Sequence, residues 1–271
     1  MSIKPQKTRL TIWMALPNCV LICLIFGISC KSVKNSVRNV SPAAITILSY
    51  NVRNCVGLDN AVNYQRVANA ISKINPDIVA IQELDSSTTR SKHISVLNKL
   101  ATFTGMVPTF HASINFQGGK YGIGILSKEK PLSIEGIALP GTEEKRSALL
   151  VEMKNYVFVC THFSLTEKDR IQSVTLLNQF IAKYKKPVFL GGDLNTNPGS
   201  PAINSLAKNW YFLSDTTKRT IPANKPIDCI DYIMALKQEK YAFKVLNAAV
   251  GDEPVASDHL PVWVKVTMEP K

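Results

Sequence analysis

Oxygen-bearing side chains that could hold a cation and a phosphate group follow three short apolar segments of the chain. Asn51 comes after the first segment and Glu83 after the second. Asp193 and Asn195 come after the third, across a pair of glycines. Since residues two apart in an extended chain face the same side, we expect Asp193 and Asn195 to contact one small group together. Carboxylate and amide oxygens suit Mg²⁺, Mn²⁺ or Ca²⁺, whereas Zn²⁺ usually takes more His or Cys.

Histidines and further aspartates stand in three more segments. His162 ends an apolar run, Asp231 lies inside another, and Asp258 is followed directly by His259. Asp258 could fix the tautomer of the His259 imidazole, which is the pairing that a general base or a phosphate-polarising histidine needs. One such residue alone is more often a turn, cap or structural group. The recurrence of these groups at five separate segment ends predicts a shared polar site.

Short apolar runs bounded by turn residues predict buried strands that position these groups. The runs are 45–50, 78–81, 122–126, 148–153, 157–160, 188–190, 230–235, 243–249 and 262–266. Helical spacing of apolar residues covers 64–74, 94–103 and 166–184. Because strand and turn fill most of 107–160, we expect meandering antiparallel sheets with helices packed outside. Strand ends let a rigid sheet present several ligands to one cleft.

The composition is that of a folded chain with a basic surface. Of its 271 residues 45% are hydrophobic, which excludes a disordered chain, and the formal net charge is +12. This surplus favours anionic partners such as nucleic acid, phosphorylated lipid headgroups or an anionic membrane, while a basic surface kept for solubility is the alternative. Beyond residue 30, Cys55, Cys160 and Cys229 are an odd number in apolar runs. They predict buried thiols rather than disulfides.

Residues 1–30 have the order of an export signal. Lys4, Lys7 and Arg9 precede an apolar run that closes with small residues before Cys30. This order is typical of a lipoprotein signal, in which Cys30 becomes lipidated. An uncleaved membrane anchor and a cleaved secretion signal are the alternatives.

Residues 31–42 are polar and basic without apolar periodicity, so we expect a flexible tether. The folded domain should then cover 43–271. Together with the export signal, this organisation predicts an exported protein of the cell envelope, held to a membrane as a lipoprotein by its N-terminus.

Seven segments, in their order along the chain, resemble the deoxyribonuclease I-like endonuclease/exonuclease/phosphatase superfamily of metal-dependent phosphohydrolases. They are SYNVR, DIVAIQELD, YGIGILSK, THFSL, GGDLNTNP, IDYIM and SDHLPV, and they run from Ser49 to Val262. Members of this superfamily include pancreatic deoxyribonuclease, apurinic DNA-repair endonucleases, neutral sphingomyelinases and inositol-polyphosphate 5-phosphatases. The resemblance implies an α/β (α+β) fold: a four-layered sandwich of two facing mixed β-sheets flanked by helices.

The resemblance also assigns roles by motif. The implied metal ligands are Glu83, Asn51 and Asp258, with Mg²⁺ as the expected ion and Mn²⁺ or Ca²⁺ as alternatives. The implied catalytic residues are Asp193 to orient or activate the attacking water, Asn195 to hydrogen-bond the phosphate, His162 and His259 to contact it or transfer a proton, Asp231 to steady one histidine, and Asp258 to orient His259.

Two further residues are candidates for contact with the substrate phosphate. Arg146 stands where related nucleases place a phosphate-contacting arginine, and an exposed, solvated arginine is the alternative. Tyr121 stands one place away from the tyrosine of the repair endonucleases, and packing alone is the alternative.

These roles predict a monomeric, divalent-metal-dependent hydrolase that cleaves phosphate esters, chiefly phosphodiester bonds, by in-line attack of an activated water. Its substrate would be nucleic acid, a phospholipid headgroup or a small phosphodiester. A catalytically inactive, lipid-anchored binding module for anionic phosphate ligands is the main alternative. A purely structural lipoprotein without metal affinity is another.

Overall fold

In the computed structural model, residues 44–271 fold into two mixed β-sheets of six strands each. Leu10, Thr11 and Trp13 are the other residues that the structure describes. Apart from these three, the predicted export signal at 1–30, with Cys30, and the predicted tether at 31–42 lie outside the described residues. Among the residues described, no helix has both the length and the apolar character needed to span a bilayer.

Residues 44–271 form twelve β-strands and four α-helices. The strands are β1 (Ala44–Asn51), β2 (Ile78–Ser86), β3 (Val107–Phe116), β4 (Gly119–Ser127), β5 (Ser133–Leu139), β6 (Arg146–Glu152), β7 (Val157–His162), β8 (Val188–Asp193), β9 (Trp210–Phe212), β10 (Asp231–Leu236), β11 (Tyr241–Val250) and β12 (Val262–Pro270). The α-helices are α1 (Tyr64–Ile74), α2 (Val96–Thr104), α3 (Glu167–Ile181) and α4 (Pro201–Asn209). The strand orders are β11-β12-β1-β2-β4-β3 and β5-β6-β7-β8-β10-β9.

Side chains that face opposite sides of each strand produce the layers of the sandwich. Ile47 of β1 belongs to the apolar core between the two sheets, while the next residue, Leu48, packs on the opposite side in the core that contains Val67 of α1. On the second sheet, Leu149 faces the inner core and Leu150 faces the core formed with α3 and α4. Because successive side chains point to opposite faces, each sheet is covered twice. The predicted four-layered α/β sandwich is confirmed.

Parallel pairs sit at the centre of both sheets. β1 pairs with β2 in parallel, and β7 pairs with β8 in parallel, whereas the other neighbouring strands are antiparallel. A parallel pair needs a long crossover, and α1 and α3 lie in these two connections. The expected antiparallel meander therefore describes the flanks, including β3-β4 and β5-β6-β7, but not the centres.

The helices begin and end at residues suited to those positions. The Asn63 side chain accepts a hydrogen bond from the backbone N–H of Arg66 at the start of α1, and Asn75 closes the helix in a left-handed conformation. The bounds of α1 equal the predicted range 64–74. No prediction covered α4, whose sequence has only two large apolar residues one turn apart, Ile203 and Leu206, although Ser200 caps it in the expected manner.

The cysteines and the glycine pair lie in tightly packed surroundings. Within residues 44–271, Cys55, Cys160 and Cys229 are free and buried, which confirms the prediction of buried thiols. A Cβ atom on Gly192 would lie 2.6 Å from the carbonyl oxygen of Thr161 in the neighbouring strand. A Cβ atom on Gly191 would lie 3.0 Å from Cβ of Ala80 in the other sheet. Gly192 is therefore the tighter position, and Asp193 follows it directly.

Replacing Gly192 with alanine should destabilise the fold more than replacing Gly191, because the added Cβ atom would lie 2.6 Å from its nearest neighbour rather than 3.0 Å. We expect Gly192→Ala to lower the free energy of unfolding by roughly 1–3 kcal/mol, the usual cost of overpacking. Gly191→Ala is the matched control and should cost less. Urea denaturation followed by circular dichroism measures both values, and equal losses would contradict the packing described.

Candidate active site

Polar side chains from both sheets meet at one end of the sandwich. Asn51, His162 and Asp193 are the last residues of β1, β7 and β8, and Asp231 is the first residue of β10. In the second sheet, Asp193 lies beside both His162 and Asp231, since these residues pair in the strand register. His259 completes the set from the loop before β12. All five side chains are buried.

Glu83 enters the site from within a strand rather than from its end. The pairing of β2 with β4 shifts between Ile81 and Leu84, and Glu83 has a φ of +59°, so the chain forms a β-bulge there. The sequence prediction that β2 ends at Ile81 was therefore wrong, because the strand resumes after the bulge and runs to Ser86. The bulge turns the Glu83 carboxylate toward Asn51, whose Nδ2 donates a hydrogen bond to Oε1 at 3.0 Å.

Asn51 joins the two sheets. The same Nδ2 donates to Oδ2 of Asp193, also at 3.0 Å, so one amide group bridges two carboxylates. Asn51 Oδ1 accepts the backbone N–H of Arg53 at 3.1 Å. The orientation of the amide follows from these contacts, since only its NH₂ group can donate to two acceptors.

Asn195 does not face the same side as Asp193 through an extended chain. The strand ends at Asp193, and Asn195 has a φ of +50°. Its backbone N–H donates to Oδ1 of Asp193 at 2.9 Å, and its Nδ2 donates to the carbonyl of Phe163 at 2.9 Å. The expectation from extended-chain geometry is thus corrected: Asn195 lies beside Asp193 because the chain turns back.

Asp231, not Asp258, holds the His259 ring. Asp231 Oδ2 lies 2.9 Å from His259 Nδ1 and also accepts a 2.6 Å hydrogen bond from the Thr220 hydroxyl. The Asp258 carboxylate points elsewhere, to Arg53 Nε at 3.6 Å and to the Ser257 hydroxyl at 3.2 Å. The prediction from sequence adjacency that Asp258 fixes the imidazole was wrong, because neighbouring side chains leave this bend in different directions.

The environment of His259 favours its protonated form. Burial alone would lower the pKa of the imidazole, but the carboxylates of Asp231 and Asp193 outweigh burial and raise the pKa to about 10. His259 Nε2 lies 3.8 Å from Asp193 Oδ2. The ring therefore carries a positive charge at neutral pH and directs Nε2–H toward the centre of the site.

The environment of His162, in contrast, favours the neutral form of its ring. Burial lowers the pKa of its imidazole to about 3, with the charges of Arg146 and His259 acting in the same direction against Asp193. Arg146 Nη1 lies 3.3 Å from His162 Nδ1. Because a guanidinium can only donate, Nδ1 accepts and the proton of the neutral ring is on Nε2. That Nε2 lies 3.5 Å from Asp193 Oδ2.

Arg146 is the buried first residue of β6, so the alternative of an exposed, solvated arginine is wrong. Its Nη1 also donates to Glu144 Oε1 at 2.9 Å. Its Nε is buried and finds no hydrogen-bond partner in the described part of the chain. Tyr121 of β4 is buried as well, and burial together with the charges of Glu83 and Glu144 raises the pKa of its hydroxyl. Tyr121 thus lies near Glu83, whereas Arg146 lies beside His162.

The carboxylates of the site fit a hard divalent cation. Burial raises the pKa of Glu83, and the negative charges of Asp193 and Asp258 act in the same direction, although the Asn51 hydrogen bond opposes them. A cation among these oxygens would relieve that repulsion. Asp193, Asp231 and His259 also converge to within 4.8 Å. Since Asp231 and His259 bond each other, Glu83 and Asp258 with Asn51 are the better ligand set.

Sequence reasoning missed several residues that contact the site. Arg53 pairs with Asp258, Glu144 with Arg146, and Thr220 with Asp231. Arg53 lies inside the SYNVR segment, so its motif was a usable signal. Thr220 belongs to a loop without a recognisable pattern and reaches Asp231 through tertiary folding.

Comparisons with known proteins agree with this architecture. A family model described as the Endonuclease/Exonuclease/phosphatase family matches residues 48–259. No curated protein sequence matches the chain significantly.

Three solved structures illustrate the similarity of fold. An endonuclease/exonuclease/phosphatase from Bacteroides vulgatus has a TM-score of 0.69 at 18% identity, over 84% of this chain and 100% of that one. The Bacteroides thetaiotaomicron VPI-5482 mannosyl-6-phosphatase has a TM-score of 0.62 at 17% identity, over 82% and 99%. The human Nocturnin catalytic domain with a bound sulfate anion has a TM-score of 0.61 at 16% identity, over 83% and 95%. At these identities the likeness concerns the fold.

Removing the Asp231 carboxylate should lower the pKa of His259, since that carboxylate supports the charged imidazole. We expect Asp231→Asn to move the pKa from about 10 toward the ordinary value for histidine. Thr220→Val keeps the carboxylate and removes one hydrogen bond to it, so the shift should be smaller. NMR titration of the histidine ring resonances measures both variants. An unchanged His259 titration in Asp231→Asn would contradict the pairing.

Proposed function

The chain belongs to the endonuclease/exonuclease/phosphatase family, and from this membership we propose that it is a divalent-metal-dependent hydrolase of phosphate esters, acting chiefly on phosphodiester bonds. One observation carries the proposal: Asn51 and Glu83 from one sheet meet His162, Asp193 and Asp231 from the other at a single end of the fold. The convergence supplies acceptors for a cation and donors for a phosphate in one place.

Glu83 and Asp258, with Asn51, would hold the cation. Its chemistry when bound is neutralisation of the phosphate charge, which repels an attacking water. An all-oxygen ligand set favours Mg²⁺, with Mn²⁺ or Ca²⁺ as alternatives. For Asn51 to serve as a ligand its amide must turn, because its NH₂ group faces Glu83 in this structure.

Asp193 orients the attacking water. Its carboxylate is buried and held at both oxygens, by the Asn195 backbone N–H on Oδ1 and by Asn51 on Oδ2. A carboxylate fixed in this way can accept a proton from water without first losing a mobile hydration shell. In-line attack on the phosphorus then places the water opposite the leaving oxygen.

The two histidines stabilise the charge that develops on the phosphate oxygens. His259 offers Nε2–H of a positively charged ring supported by Asp231, and His162 offers Nε2–H of a neutral ring supported by Arg146. Donors that are already oriented and shielded from water lower the energy of such a transition state strongly. Asn195 adds a further polar group, and Arg146 and Tyr121 border the same site. The charged His259 is also suited to protonate the leaving oxygen.

The proposed location is the cell envelope, with the protein exported and held to a membrane by its N-terminus. The basic, apolar and small-residue order that ends at Cys30 supports this assignment. A membrane tether would bring the enzyme close to phospholipid headgroups, whereas the basic surplus suits nucleic acid. A binding module without catalysis would leave the same cleft but show no turnover, so the activity assay separates the two functions.

Hydrolysis of bis-p-nitrophenyl phosphate by the purified protein should require Mg²⁺ or Mn²⁺ and stop in EDTA. Glu83→Gln should reduce kcat/KM by a factor of roughly 10²–10³, the scale for losing a main charge-stabilising group. Calorimetric titration should show weaker Mg²⁺ binding in the same variant. Glu129→Gln, an exposed glutamate outside the site, makes the same chemical change and should have little effect.

Four outcomes would count against this proposal. Activity that persists in EDTA would exclude the metal requirement, and full activity in His259→Ala would exclude the proposed phosphate contact. Metal binding without turnover of any phosphate ester would favour the binding module. Absence of metal binding would favour the structural lipoprotein.

Lipidation at Cys30 can be tested by metabolic labelling of expressing bacteria with an alkyne fatty acid. We expect label on the native chain and none on Cys30→Ser, because lipoprotein processing attaches lipid to the cysteine at the cleavage site. Cys23→Ser alters another cysteine of the same apolar segment and should stay labelled. Label that persists in Cys30→Ser would reject the assignment.

A further inference from the structure

The chain carries a long segment of unbalanced positive charge beside the site. Residues 86–128 contain no Asp or Glu. Their basic residues are Arg90, Lys92, Lys99, Lys120 and Lys128, with His93 and His111. Lys120 pairs in register with Ser86, three residues beyond Glu83, so it lies at the catalytic end of the first sheet. Arg90 and Lys92 belong to the loop that leaves this end.

Residues 87–95 and 116–120 form one surface, here called the basic platform. The backbone N–H of Thr89 donates to the carbonyl of Gln117 at 2.9 Å, and the backbone N–H of Arg90 donates to the Gln117 side-chain oxygen at 3.1 Å. The two segments pack so closely that a Cβ atom on Gly119 would lie 2.4 Å from the carbonyl oxygen of Ser86. The platform is therefore formed before any ligand arrives.

Arg90 is fixed at the centre of the platform and stays accessible. Its Nε and Nη2 donate to the buried carboxylate of Asp85 at 2.6 and 2.8 Å. The guanidinium lies 4.5 Å from the centre of the Phe116 ring and 5.5 Å from that of Tyr121. Its side chain is still 43% exposed. Asp85 thus immobilises the guanidinium while leaving part of its surface open.

The lysines of the platform keep their charge available. Lys92 and Lys120 are exposed, and in the described part of the chain neither forms a salt bridge. Within residues 44–271, Lys120 Nζ donates only to the neutral side chain of Asn115. An anion at this surface would meet Arg90, Lys92 and Lys120. The carboxylates whose charges reach Arg90 are Asp85, which it already pairs with, and Glu83 of the site. Glu144 also feels the charge of Arg90, but it is paired with Arg146.

The platform adjoins the catalytic centre directly. Asp85, which holds Arg90, is two residues beyond Glu83 on β2 and lies opposite Tyr121 on β4. A substrate whose scissile phosphate lies at Glu83 and His259 would therefore reach Arg90 with any part that extends along β2 beyond Glu83. β2 holds the platform at a fixed distance from Glu83. This arrangement favours a ligand group that is covalently linked to the scissile phosphate.

We propose that the basic platform binds a second phosphate group of the substrate, next to the phosphate that is cleaved. The proposal rests on the proposed function, since it takes the Glu83 site as the place of the scissile phosphate. The planar guanidinium of arginine and the ammonium group of lysine are the groups that most often recognise phosphate in proteins. Two neighbouring phosphates occur in nucleotide chains and in phosphorylated inositols, and the experiment separates these sources.

The kinetic test uses the full chain and two chromogenic substrates with the same leaving group. One is thymidine 5′-(p-nitrophenyl phosphate), and the other carries an additional 3′-phosphate. We expect the native protein to prefer the second substrate in kcat/KM. The double variant Lys92→Gln/Lys120→Gln should lower that preference at least roughly tenfold, the lower end of the scale for one hydrogen bond to a charged group. Both lysines are exposed, so the fold should tolerate the change.

The control variant is Lys99→Gln/Lys130→Gln, which removes two exposed lysines outside the platform and changes the net charge equally. It should keep the preference for the 3′-phosphorylated substrate. No preference in the native protein, or an equal decrease in the control, would overturn the proposal. An equal decrease in the control would show that the net charge of the protein, rather than the platform, determines the preference.

Binding measurements separate the platform from the proposed function. If neither substrate is cleaved, the proposed hydrolase activity fails, and calorimetric titration with thymidine 3′,5′-bisphosphate and thymidine 5′-phosphate then tests the platform alone. Tighter binding of the bisphosphate, weakened in Lys92→Gln/Lys120→Gln, supports it. Equal affinities for the two ligands overturn it. The same titration with inositol 1,4-bisphosphate distinguishes a nucleotide chain from an inositol headgroup as the source of the second phosphate.

Discussion

The hydrogen bond from Asn51 to Asp193 joins the two β-sheets at the end where the polar residues collect. Asn51 ends a strand of the first sheet and Asp193 ends a strand of the second, and their side chains meet at 3.0 Å. Both groups are buried, and each has one further partner: Asn51 also donates to Glu83, and Asp193 also accepts the backbone N–H of Asn195. A buried carboxylate left without partners is strongly destabilising. The position of one sheet over the other is thus tied to the geometry of the site, and Glu83 and both histidines take their places around this contact.

The same carboxylate separates the roles of the two histidines. His162 and His259 both lie within 4 Å of Asp193, yet burial and Arg146 keep the first neutral while Asp231 keeps the second charged. The two imidazoles thereby become a neutral donor and a cationic donor. The difference comes from what each Nδ1 contacts, a guanidinium in one case and a carboxylate in the other. Only the folded chain brings these partners to the rings.

Negative and positive side chains occupy different parts of the rim of the site. Carboxylates gather at Glu83, Asp193 and Asp258, where a cation would bind, while the acid-free segment 86–128 adds positive charge on one flank. A formal net charge of +12 by itself describes the whole chain and does not locate any of it. Arg90 and Lys120 come to lie beside Tyr121 because β4 pairs with β2, which sets Tyr121 opposite Asp85 and Lys120 opposite Ser86. The surplus positive charge and the carboxylates of the site therefore occupy adjacent but separate surfaces.

The sequence by itself determined the family, the layered fold and the identity of the polar residues that meet. Short apolar runs ending in Asn51 or Asp193 indicate strands that finish in a site, and these local patterns survive folding because burial of apolar faces dominates strand formation. The resemblance implied that Asp231 steadies one histidine, and the tertiary structure decided which histidine this is and how the other groups pair. It assigned Asp231 rather than Asp258 to His259, turned Asn195 back on Asp193, placed Glu83 on a bulge and buried Arg146. The physical reason is that hydrogen bonds between residues far apart in the chain depend on register, bulges and bends, which single-residue preferences do not encode.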